Sequence, residues 1–117
     1  MSYKIVVTSD FTRDVKKLAK RHRSLRQDLA DFVEELSEDP YTGDRITQDI
    51  YKYRIAIKSK GRGKSGGGRV IAALLKIVRT KTERLDIVLL RIYDKSDRST
   101  LPTHELERQI NQYYEEE

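Results

Sequence analysis

The hydrophobic positions along this chain change period three times, and each change predicts a switch between strand and helix. Tyr3 to Thr8 is a short run rich in Ile and Val that reads as a strand. Phe11, Val15, Leu18, Ala19 and His22 then recur at helical spacing, with Thr12 or Asp10 available as the N-cap. Ser24 and Gln27 match a capping box, in which the two side chains satisfy orphan amides at a helix start. Behind it Leu25, Leu29, Phe32, Val33 and Leu36 form one apolar stripe. Asp39-Pro40 ends this second helix, because the residue before proline disfavours the helical region. The two helices are expected as an antiparallel hairpin with a tight turn near Arg23.

From Ile46 the period drops to two. Tyr51, Tyr53, Ile55 and Ile57 alternate with Lys52, Arg54, Ala56 and Lys58, which predicts a strand with one buried and one basic face. Val70 to Arg79 is almost wholly apolar, as a central strand covered on both sides would be. Residues 80–84 read as a polar turn and Leu85 to Tyr93 as another apolar strand. Pro102 and Thr103 mark a helix start, followed by Leu106, Ile110, Tyr113 and Tyr114. The order βααβββα, without repeat or linker, predicts one α+β domain over residues 1–117. Its sheet should have about four strands, antiparallel but mixed through the N-terminal strand, with the helices on one face.

Charge sharpens this picture. The net charge is +5, but residues 40–100 carry fifteen Lys and Arg against six Asp and Glu. Residues 1–27 carry eight against two. The compensating acids fall in two blocks, Asp28 to Asp39 and Glu105 to Glu117, so a positive and a negative face are expected. Cysteine is absent, which removes disulfides, thiolate nucleophiles and Cys-based zinc sites. No signal-like segment opens the chain, and no run approaches the roughly 20 apolar residues that span a bilayer. The expectation is a soluble, cytoplasmic protein with no membrane contact.

Residues 58–69 hold five cations, no acid and five of the six glycines. Such a segment between two strands predicts a flexible cationic loop suited to a polyanion. Gly61 to Gly66 fits a GxGxxG spacing, but that fingerprint needs a helix behind it and here a strand follows. A phosphate-binding GxxxxGK[ST] loop fails too, since glycine is required where Lys58 stands. His22 and His104 have no partner at metal-ligand spacing, so neither metal nor cofactor is expected. What remains is basic: Lys52, Arg54 and Lys58 share a strand face, Arg69 opens the next strand, and Arg91, Tyr93 and Lys95 share parity at the end of the last. With Lys60, Arg62 and Lys64 from the loop, these groups could grip phosphates by counterion release. They could also stabilise the added charge of a phosphoryl transition state. The acidic end, Tyr113 to Glu117, could fold back on the basic loop.

Residues 51–71 (YKYRIAIKSKGRGKSGGGRVI) and 89–96 (LLRIYDKS) resemble the RelE/ParE superfamily of toxins, of the RelE and HigB type, and the likeness extends over nearly the whole chain. It implies the toxin half of a type II toxin–antitoxin pair, bound by a cognate antitoxin in a hetero-oligomer. RelE-like members cut messenger RNA on the ribosome without a metal, the ribose 2′-hydroxyl attacking the adjacent phosphate. The resemblance places Arg69 as a catalytic or phosphate-holding arginine and Arg54 where a functional lysine is often found. Ala56 stands where the neighbouring lysine would be. Lys95 falls in the basic segment after the last strand as a phosphate contact, and Tyr93 is the candidate for a C-terminal tyrosine. Lys52, Lys58, Lys60, Arg62, Lys64 and Arg91 are the accompanying RNA-binding set. Two alternatives stay open: a ParE-like inhibitor of DNA gyrase without nuclease activity, and a degenerate toxin acting only as a binding module.

Overall fold

The computed structural model describes residues 2–79, 81–98 and 100–116, with Arg79 described by its backbone alone. Strand β1 (Ser2–Val7) leads into α1 (Ser9–Arg21) and α2 (Leu25–Glu38). Four strands follow, β2 (Asp44–Arg45), β3 (Ile50–Ile55), β4 (Gly68–Arg79) and β5 (Thr82–Asp94), and then α3 (Thr103–Glu116). The five strands form one sheet in the order β1-β5-β4-β3-β2. β1 runs parallel to β5 and the other pairs are antiparallel. The α+β architecture and mixed sheet agree with the hydrophobic pattern. The additional strand, β2, is only two residues long and both are exposed, so no period could announce it.

The helices do not share one face of the sheet, as the sequence suggested. Phe11, Val15 and Leu18 of α1 and Leu25, Phe32 and Leu36 of α2 pack on Tyr53, Ile55, Val70, Ala72, Ile87, Leu89 and Ile92. Leu106 and Ile110 of α3 cover the reverse face with Ile50, Ile71, Ala73, Leu75, Val88, Leu90 and Tyr93. Two cores on opposite sides explain why β4 and β5 are apolar at consecutive positions: neither face meets water. A register shift between Ile71 and Ala72 separates the two halves of the β4–β5 ladder.

The helix ends also differ from the expected ones. Thr8, not Thr12 or Asp10, caps α1 by accepting from Phe11 N–H at 3.2 Å, and its hydroxyl donates to Leu89 O at 2.9 Å. One side chain thus starts the helix and fixes it to β5. Ser24 has helical dihedrals and makes no cap bond to α2. Its hydroxyl donates to Asp28 at 2.6 Å and accepts from Ser59 N–H at 2.8 Å, so the expected capping box is used instead to dock the basic loop. Asp39 ends α2 as expected and caps the 3-10 turn that begins at Pro40. Among the described residues, no helix is long and apolar enough to cross a membrane.

Candidate nucleic-acid interface

The glycine-rich segment is tied down along its length, against the expectation of a flexible loop. Lys58 N–H donates to Asp28 Oδ2 at 3.0 Å, and Ser59 is held by Ser24. Lys60 reaches Asp94 at 2.6 Å. Arg69, buried at 8% exposure, donates to the carbonyls of Gly68 at 2.9 Å, Ser65 at 3.2 Å and Lys64 at 3.3 Å. Lys95 N–H donates to Gly67 O at 3.1 Å. Gly61 and Gly63 take φ values of 71° and 63°, which side-chain-bearing residues adopt only at a cost. A Cβ on Gly67 would lie 2.2 Å from Ile55 O, so only glycine lets the loop cross the end of β3 this closely. The strand β4 begins at Gly68, and with it the helix required by a dinucleotide fingerprint is absent.

The sheet register brings three predicted site residues into one row. Arg54 pairs with Arg69 across β3–β4, and Arg69 pairs with Tyr93 across β4–β5. Directly opposed residues stand about 5 Å apart, so two arginines and a tyrosine form a line across the sheet on the face that carries α3. Arg54 and Lys95 are exposed, while Arg69 and Tyr93 are buried. Within this row Arg54 is therefore the arginine offered to solvent, and Arg69 works beneath it on the loop backbone.

At the edge of β3 an open cleft of about 390 Å³ gathers Lys52, Arg54 and Lys64 beside Tyr53, Glu35 and Asp44. Lys64 lies 3.4 Å from Glu35 and Lys58 lies 3.4 Å from Asp31, both pairs exposed. Exposed pairs of this kind contribute roughly 0–1 kcal/mol, so either lysine can be transferred to a phosphate at small cost. Arg62 is exposed at the loop tip.

Two expected RNA contacts are otherwise engaged. Arg91 is turned toward α1, where Asp14 accepts from its Nε at 2.7 Å and from Ile92 N–H at 3.1 Å. The hydrogen bonds that Arg91 donates to Asp14 raise its pKa further above the ordinary guanidinium value. Lys60 is committed to Asp94, a carboxylate only 1% exposed. Asp94 also accepts from Ser96 N–H at 2.9 Å and meets His22 Nε2 at 2.9 Å. Burial by itself would push Asp94 up. The hydrogen bonds from Lys60, Ser96 and His22 outweigh it and hold the carboxyl far below the usual carboxylate range. The acidic end does not fold onto the loop: α3 continues to Glu116, which borders a cleft with Val6 to Asp10 on the β1 side, and Glu117 lies outside the described residues.

Sequence reasoning missed the anchoring roles of Asp94, Asp14 and Asp28, acids on which the basic elements are hung. Asp94 did carry a signal, as the one acid between Arg91 and Lys95 at the end of an apolar strand. Among the described residues no group of three His, Asp or Glu side chains is placed to hold a metal. The fold and site define an α+β protein with a cationic cross-strand row beside an anchored basic loop. No family model, curated protein or solved structure matches the chain.

Proposed function

We propose that this chain is the toxin of a type II toxin–antitoxin pair, a metal-independent endoribonuclease that cuts messenger RNA on the ribosome. The observation that carries this reading is the cross-strand row of Arg54, Arg69 and Tyr93, with Lys95 bound through its backbone to the same loop. An RNA phosphate lying over the row meets the exposed Arg54 guanidinium first. As the 2′-oxygen bonds to phosphorus and the 5′-oxygen leaves, charge builds on the non-bridging oxygens. Fixed guanidinium groups stabilise that charge without reorganising. Arginine cannot take up the 2′-proton, so proton transfer falls to Lys95, Tyr93 or groups of the ribosome. Lys52, Lys64, Lys58 and Arg62 hold the flanking phosphates. The resemblance supplies the partner: an antitoxin that covers this basic surface in the cytoplasm.

The test is the Arg54→Ala variant. Its side chain is exposed and makes no bond to the loop, so the protein should melt as the wild type does. Primer extension on cellular RNA after induction should show cuts within translated codons for the wild type and their loss, with growth restored, for the variant. Full growth arrest by folded Arg54→Ala would remove the row from the mechanism. Growth arrest by the wild type without new RNA ends, relieved by a resistant gyrase, would transfer the protein to the ParE-like reading.

A further inference from the structure

We propose that the outer face of α1 is a second RNA-binding surface, which grips the phosphates of a double-helical RNA segment on the side of the sheet opposite the Arg54–Arg69–Tyr93 row. α1 buries Phe11, Val15 and Leu18. At about 100° per residue, Arg13, Lys16, Lys17 and Lys20 fall within an arc of about 100° diametrically opposite that stripe. All four are exposed. Arg13 lies 3.2 Å from Asp10 in an exposed pair. Among the described residues Lys16, Lys17 and Lys20 have no carboxylate partner. The other acid of the helix, Asp14, is turned inward to Arg91. Beside the Arg13–Asp10 pair, the face thus presents three lysines on one helix with no carboxylate partner among the described residues.

The seven-residue spacing from Arg13 to Lys20 covers about 10 Å of helix axis, the span of about three successive phosphates on one strand of a duplex. The chemistry of the face selects among anionic partners. A basic amphipathic helix binds a membrane by inserting its apolar side; here that side is spent in the core against β5, leaving nothing to insert. Single strands are held by bases stacking on aromatic side chains. The one aromatic of α1, Phe11, is 1% exposed, so the face can read backbone charge only. Duplex phosphates are what such a surface fits. The choice of RNA over DNA rests on the function proposed above. With the row on one face of the sheet and this ridge on the other, the protein can hold a substrate strand and a structured RNA together.

The experiment titrates the protein with a fluorescent RNA hairpin of about 20 base pairs over a series of salt concentrations. For the wild type, log affinity should fall steeply with log salt. The triple variant Lys16→Gln, Lys17→Gln, Lys20→Gln should bind about tenfold or more weakly near 0.1 M salt, with a slope shallower by about two to three, one unit per lost phosphate contact. A wild-type slope and affinity in the triple variant, folded by circular dichroism, overturns the proposal. So does tighter wild-type binding to a DNA duplex of the same length or to anionic phosphatidylserine vesicles. Lys20→Gln alone supplies the same comparison at about a third of the slope change if the triple variant does not fold. Absence of new RNA ends in cells expressing the wild type, with its hairpin binding intact, would sink the endoribonuclease and leave this surface standing; cutting by the wild type without salt-dependent hairpin binding would sink the surface alone.

Discussion

Lys60 Nζ lies 2.6 Å from Oδ1 of Asp94, joining the basic loop to the end of β5 across 34 positions of sequence. The pair is enclosed, with side-chain exposures of 11% and 1%. Removing one partner leaves the other charge buried, which costs about 3–5 kcal/mol. Asp94→Asn and Lys60→Met should each lower stability by an amount of this order in urea unfolding at neutral pH.

The same carboxylate sets an acid limit. Its pKa is depressed in the folded protein, so the stability it contributes is fully present above the unfolded value of about 3.9 and is lost as pH falls toward the folded one. Wild-type stability should decline as pH is lowered from about 5 to 2. In Asp94→Asn that part of the decline should vanish. Urea midpoints across this range decide it, and equal slopes in both proteins would contradict the assignment.

Two glycines of one loop should respond unequally to alanine. A Cβ on Gly67 meets backbone, Ile55 O at 2.2 Å and Ile57 N at 3.0 Å, and these cannot yield without opening the end of β3. A Cβ on Gly61 meets nothing within 4 Å and carries only the strain of a positive φ, about 1–2 kcal/mol. Gly67→Ala should therefore lower the melting temperature well beyond Gly61→Ala.

Arg69 and Arg54 are neighbours in the row but should fail differently. Arg69→Ala frees the carbonyls of Lys64, Ser65 and Gly68, costing about 1–3 kcal/mol. Faster amide exchange should appear from Lys64 to Gly68, so a change in the proposed activity of this variant would come with a disturbed loop. Arg54→Ala should leave exchange unchanged. Only the Arg54 variant tests the proposed RNA chemistry free of a loop effect.

Tyr53 donates its phenol to Pro40 O at 2.5 Å in the core. Burial, followed by nearby Tyr51 and the Asp39 charge, raises its pKa. A raised phenol contributes stability that is complete below the unfolded value, about 10, and is lost as pH climbs toward the folded one. Tyr53→Phe should cost about 1–2 kcal/mol at neutral pH and show less alkaline loss above about pH 10. Thermal melts from pH 7 to 11 would reveal it.

Most elements were legible because their periods were strong: the stripes Phe11–Val15–Leu18 and Leu25–Phe32–Leu36, and the alternation through Tyr53 and Ile55, each point one way. β2 was not legible, because two exposed residues have no period. The double-sided burial of β4 could be seen in its unbroken apolar run, but not which helix lay on which side. At the candidate site, Arg54, Arg69 and Tyr93 are aligned by register, and parity alone could not supply it. Ser24 shows the limit most clearly. Its spacing to Gln27 satisfies a local rule, yet a hydroxyl also serves distant partners, and Asp28 and Ser59 claim this one.

The anchoring of the basic loop also orders events during synthesis. Residues 58–69 are made well before Asp94 and Lys95, the groups that secure Lys60 and Gly67. Long-range closures of this kind form late, because the chain between them must be complete and its entropy lost first. A nascent chain that has not reached residue 94 therefore has Lys60 and Gly67 without these anchors, and only the contacts with Ser24, Asp28 and Arg69 are open to its loop. The final arrangement of its cations waits for the last strand to add itself to the sheet. Premature termination anywhere before residue 94 should yield fragments that carry the charge of the interface without its geometry.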